Sequence, residues 1–137
     1  MSIFDIFKKK KPRPPVIKMY VLVRRDLEPI HRAVQGGHAV AEYMKTWFHT
    51  TPWNNGYMIY LSVANEAELN KWEARLQAAQ HRFSTFVEPD WGEPTKTALA
   101  FCSTGEIVRG LDLLSMEPNS SVYTKYNMSA DGLVKPG

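Results

Sequence analysis

The chain has 137 residues, with 44% hydrophobic and 23% charged side chains and a formal net charge of +3. That length and composition suit one globular domain with tails, and they exclude collagen-like, coiled-coil and wholly disordered readings. No stretch approaches the ~20 apolar residues of a membrane span, and the one cysteine, Cys102, excludes an internal disulfide and a Cys-rich zinc site.

The charge is uneven. Residues 1–18 hold Lys8, Lys9, Lys10, Lys11, Arg13 and Lys18 against Asp5, a net +5, so the remaining 119 residues sum to −2. Residues 1–17 therefore read as a basic N-terminal arm. It is directed at a polyanion, whether nucleic acid, an anionic membrane or an acidic protein, unless it is a solvated tail. Its apolar run, Met1 to Phe7, precedes the lysines, the reverse of a secretory signal. The expected location is cytoplasmic. Pro12, Pro14 and Pro15 extend the linker that follows.

Residues 18–115 read as the domain. Tyr20–Val23 is a short apolar strand. A helix is predicted from Ile30 to His49, with Ile30, Ala33, Val34, Val40, Tyr43, Met44 and Trp47 as its apolar face. Gly36 and Gly37 in its middle point to a close approach, or to simple tolerance. Tyr57–Val63 is a second strand. Asn65 caps a second helix whose Leu69, Trp72, Leu76 and Ala79 face the core. Arg82–Glu88 is a third strand, with Phe86 facing opposite to Phe83, Thr85 and Val87. A loop from Pro89 to Pro94 leads to a fourth strand, Thr97–Phe101, and Ser103 or Thr104 caps a short last helix to about Leu114. Residues 116–137 lack a periodic pattern and read as a disordered C-terminal tail. This order predicts a three-layer α/β sandwich with a four-stranded mixed sheet and helices on both faces.

Three groups of residues carry candidate chemistry. His31, Gln35 and His38, at i, i+4 and i+7, share one helical face. That face can bind a metal, relay a proton, bind phosphate, or be no more than a polar stripe. Glutamine is a poor ligand and no third His, Asp or Glu stands at ligand spacing, so no metal is expected, and no cofactor. Glu88, Asp90 and Glu93 surround the Trp91–Gly92 turn, either as functional carboxylates or as an ordinary turn. Trp53 and Trp91 are loop aromatics able to stack bases or to cover core edges. No nucleophile elbow, dinucleotide fingerprint or Walker loop is present.

In their order and spacing these residues resemble a known family. The run Lys18-Met19-Tyr20-Val21-Leu22-Val23-Arg24-Arg25-Asp26-Leu27 resembles the opening strand of the type-two peptidyl-tRNA hydrolases. Gln35-Gly36-Gly37-His38-Ala39 resembles their Gln-x-x-His-Ala signature, Asp90-Trp91-Gly92 their Asp-Ala-Gly loop, and Thr97–Phe101 their closing strand. The departures are specific. His31 stands where the family has a catalytic lysine, and the loop after Asp90 is shortened, with the loss of one threonine.

The resemblance implies a hydrolase that cleaves the ester between a peptidyl or N-blocked aminoacyl group and tRNA. Asp90 would position or deprotonate water, and His31 would act as base or electrostatic stabiliser. Gln35 and Thr97 would hold the ester and ribose. Arg32, Lys96, Trp91 and the arm lysines Lys8, Lys9, Lys10 and Lys11 would bind substrate, with Arg32 or Lys96 replacing the lost cation. A homodimer is common in the family. The alternative is a catalytically impaired module whose cleft sequesters a nucleotide signal, as in viral counter-defence.

Overall fold

The computed structural model describes residues 13–119. The elements are β1 (Lys18–Arg24), α1 (Pro29–Trp47), β2 (Met58–Val63), α2 (Glu66–Ala78), β3 (Phe83–Glu88) and β4 (Thr95–Ser103), followed by a 3-10 turn at Glu106–Val108. The sheet order is β2-β1-β4-β3. β1 runs parallel to β2, and β4 is antiparallel to both β1 and β3. The fold is α/β with an open, four-stranded mixed sheet.

The helices cover opposite faces because alternate residues of the central strands point opposite ways. Met19, Val21 and Val23 of β1, with Ala98 and Ala100 of β4, pack with Ala39 and Tyr43 of α1. Tyr20, Leu22, Leu99 and Phe101 pack with Leu69, Trp72 and Leu76 of α2. The expected cap is present, since the Asn65 side chain accepts from the Glu68 amide at 3.1 Å. Among the described residues, no helix is long and apolar enough to cross a membrane.

Two expectations are corrected. The buried stripe of α1 is Arg32, Gln35, Gly36, Ala39 and Tyr43, while Ile30 and Val34 are exposed. Val40, Tyr43, Met44 and Trp47 pack on the core as expected, but in the first half of the helix hydrogen bonds turn Arg32 and Gln35 inward, Gln35 to Glu88 and Thr97 of the sheet and Arg32 to Leu27, Ser115, Glu117 and Asn119. The last helix is reduced to the single turn Glu106–Val108, entered through Gly105 at φ 105° and followed by Gly110 at φ 95°. These left-handed conformations suit glycine and do not propagate a helix. The chain then runs beside β2, where Ser62 donates to the Asp112 carbonyl at 2.9 Å and the Leu114 amide to that of Tyr60 at 2.9 Å.

The paired glycines differ. A Cβ on Gly36 would lie 2.9 Å from Tyr60 Cζ and closer still to Cε2, whereas one on Gly37 would meet nothing within 4 Å. Gly37→Ala should therefore stabilise by about 0.5–1 kcal/mol, from helix propensity alone. Gly36→Ala should destabilise by about 1 kcal/mol, because displacing the half-buried ring outweighs the same gain. Urea midpoints of the two variants, moving in opposite directions, would check this.

Candidate functional site

The site lies where β1 and β3 end and α1 begins. Gln35 is 2% exposed and faces the sheet. Its Nε2 donates to Glu88 Oε2 at 2.9 Å, and its Oε1 accepts from the Thr97 hydroxyl at 2.7 Å. The remaining carboxylate oxygen, Glu88 Oε1, accepts the Asp90 backbone N–H at 2.9 Å. One helix, one strand end and one strand start are thus tied by a single amide.

Two strand features build this arrangement. Glu88 is two residues beyond Phe86, whose ring packs on the α1 face, so alternation directs the Glu88 carboxylate to α1 as well. Thr97 reaches α1 through an irregularity. Phe86 pairs with Ala98 but Val87 pairs with Lys96, leaving Thr97 as the extra residue of a β-bulge. In regular alternation with Ala98, Thr97 would face α2. The bulge turns its hydroxyl to Gln35.

Two imidazoles lie within electrostatic range of the carboxylate. His31 meets the Trp91 ring edge-on, with centroids 5.1 Å apart, and His38 stacks on Phe86 at 4.3 Å. The Asp90 amide and then the Gln35 amide hold the Glu88 carboxyl below its ordinary range, with smaller electrostatic contributions from the sites of His38 and His31. Glu88 is 8% exposed, yet it belongs to the outer layer of the fold, and desolvation opposes these effects only in part. It is an ionised carboxylate at neutral pH. Asp90, Trp91 and His38 are exposed around it, so the site opens to solvent.

The expected residues therefore separate. His31, Gln35, Thr97 and Trp91 come together, and His38 joins them. Asp90 contributes its backbone N–H, while its side chain is exposed; the acid bound to Gln35 is Glu88. The period-2 reading of Phe86 and Glu88 was the available signal for that acid.

Arg32 is 2% exposed and is spent on structure. Its Nε donates to the Leu27 carbonyl at 2.8 Å, its Nη1 to those of Ser115 and Glu117 at 2.7 and 2.8 Å, and its Nη2 to Asn119 Oδ1 at 2.9 Å. Lys96 points to the α2 face, where it pairs with Glu73 at 2.6 Å and donates to Asn70 at 2.9 Å. Neither cation faces Glu88. Lys8, Lys9, Lys10 and Lys11 lie outside the described residues, as does the tail from residue 120. Among the described residues, no group of three or more His, Cys, Asp or Glu side chains stands ready to hold a metal ion.

An open mixed sheet between two helices, with a polar site at the helix-starting end of its parallel strands, defines the class as α/β. No family model matches the sequence, and no curated protein matches it. Among solved structures, the chain is similar to a protein of unknown function from Agrobacterium tumefaciens strain C58. The two are 13% identical with a TM-score of 0.54, over 72% of this chain and 98% of that one. At that identity the likeness concerns the fold alone.

Proposed function

We propose that the protein hydrolyses the ester joining a peptidyl or N-blocked aminoacyl group to the ribose of tRNA. The observation that carries this reading is His31, packed against the exposed Trp91 ring and within electrostatic range of the ionised Glu88 at a solvent-open edge of the fold. An imidazole next to a fixed carboxylate is equipped to activate water. Neutral His31 takes a proton from water as its oxygen attacks the ester carbonyl, and Glu88 stabilises the imidazolium that forms. The tetrahedral intermediate collapses with loss of the ribose oxygen, which recovers that proton from His31. Gln35 and Thr97 act as positioning residues, since their polar atoms are already engaged with Glu88 and with each other. Trp91, 40% exposed, offers a ring for a nucleobase.

The test is release of the blocked amino acid from N-acetyl-aminoacyl-tRNA by the purified chain. Turnover above the spontaneous rate, lost in His31→Ala and kept in Asp90→Ala, is expected. No release by the parent chain would overturn the reading.

One observation favours a second reading, the nucleotide-sequestering module. Arg32 and Lys96 are both engaged elsewhere, so neither replaces the lysine at the position of His31. A nucleotide extracted from the purified protein, without turnover, would select that reading. His31→Lys should then install the missing cation and raise turnover from zero.

A further inference from the structure

The two edges of the sheet differ. The outer edge of β2 is covered by the segment after the 3-10 turn, through the Ser62–Asp112 and Leu114–Tyr60 backbone bonds and the bridge between Leu61 and Leu113. The outer edge of β3 is bare. Among the described residues, no backbone group of Phe83–Glu88 bonds to a main-chain partner outside β4, and the Trp47 indole engages only the Phe83 carbonyl. An open edge is a template for another strand. The bulge lies in β4, so β3 keeps regular alternation. Phe83, Thr85 and Val87 point to the α2 face, where Thr85 bonds Glu73, and Phe86 and Glu88 point to the α1 face. Arg82 is on the α1 face too, its guanidinium over the Trp47 ring.

The run Phe83-Ser84-Thr85-Phe86-Val87 holds no charge and no proline, the usual devices that keep an edge from pairing. Arg82 and Glu88 bound it, opposite charges equidistant from Thr85. In an antiparallel pair of two β3 strands centred on Thr85, every residue meets a complement. Thr85 lies opposite Thr85, the exposed Val87 opposite Phe83, and Arg82 opposite Glu88. Hydroxyl with hydroxyl, β-branched with aromatic, and opposite charges are the favourable cross-strand pairs. Shifting the centre by one residue sets Thr85 against Phe83 or Val87 and leaves Glu88 without an arginine. The two-fold axis through Thr85, normal to the sheet, keeps both α1 helices on one face.

We propose that the chain pairs with a second copy of itself through β3, and that the partner's Arg82 completes the Glu88 site. The sheet becomes eight-stranded across the axis. Within one protomer the site has no free cation, since Arg32 and Lys96 are engaged elsewhere. The partner's Arg82 arrives on the α1 face, directly opposite Glu88. Arg82 is exposed, and its one hydrogen bond, Nη1 to the Thr50 carbonyl at 3.1 Å, leaves other N–H groups to donate. Each Glu88 oxygen accepts one bond and has a lone pair for a second. The pairing is independent of the reaction proposed above.

The experiment is sedimentation equilibrium of the full chain over a range of concentrations, with disulfide trapping to read the register. A dimer is expected. Val87→Lys puts a charge on the edge twice per dimer and should weaken association about tenfold or more. Arg82→Gln should weaken it in the parent chain and have no effect in Glu88→Gln, because the two side chains act as a pair. In a Cys102→Ser background, Thr85→Cys should link into a dimer under mild oxidation, since directly opposite Cα atoms lie about 4.5–5.5 Å apart. Val87→Cys, two residues from the axis, should not. A chain that stays monomeric at every concentration would overturn the proposal. So would a dimer insensitive to Val87→Lys, or one that Thr85→Cys fails to link. An equal effect of Arg82→Gln in both backgrounds would remove the partner's Arg82 from the site.

Discussion

Glu88→Gln should lower turnover on blocked aminoacyl-tRNA by about 10²–10⁴-fold, the range of a lost acid–base contribution, while leaving the melting temperature close to that of the parent chain. The fold survives because the network can reverse. The new amide places a donor where Glu88 had an acceptor, and Gln35 can turn its own amide over to receive it. The Thr97 hydroxyl, which now donates to Gln35 Oε1, then accepts instead. In the proposed mechanism, the charge that stabilises an imidazolium on His31 is then lost. A parent-like rate in Glu88→Gln would remove the carboxylate from the mechanism.

The same variant carries a pH signature. The Glu88 carboxyl is held below its ordinary 4.5 by the Asp90 amide and then by Gln35. A depressed carboxyl contributes stability that is fully present above the unfolded value and is lost as pH falls through the folded one. Glu66 behaves alike, its carboxylate accepting from the Thr95 hydroxyl and the Lys96 amide. The parent chain should hold a flat stability near neutrality and lose it below about pH 4.5. Glu88→Gln should lose less over that interval, as melting curves across it would show.

Arg32→Met should destabilise the domain by about 2–4 kcal/mol, four charge-assisted hydrogen bonds set against relief from burying a charge. For a domain of this size that is a fall of roughly 10–20 °C in melting temperature. Three of the acceptors, the carbonyls of Ser115 and Glu117 and the side chain of Asn119, belong to the segment after the 3-10 turn. Losing them should free that segment from the start of α1. The Leu114 amide, bonded to the Tyr60 carbonyl, should then exchange faster, while Val21 and Leu99 in the central strands should not. A melting temperature within a few degrees of the parent would show that the guanidinium is dispensable.

The strands and helices were legible along the chain because their hydrophobic spacing is local. Tyr20–Val23 reads as a buried strand and is one. Leu69, Trp72 and Leu76 repeat at helical spacing and are buried together. Asn65 reads as a cap because its partner, the Glu68 amide, is three residues away. Gln35, Thr97 and His31 could be singled out from their motifs, although nothing in the motifs says which partners they meet.

What the sequence determined by itself is the α/β class, the order of its elements, and the division of charge between a basic segment and a mildly acidic remainder. Tertiary structure alone decided which carboxylate matters, which cations are free, and which face of α1 is buried. Glu88 and Gln35 lie 53 residues apart, Arg32 and Asn119 87 apart, and a bulge decides which way Thr97 points. Interactions of that range depend on how three layers stack, and composition and period carry no record of it. Arg32 illustrates the reason: an arginine in a helix reads as solvent-facing until the carbonyls that surround it are folded into place, and only then is its burial compensated.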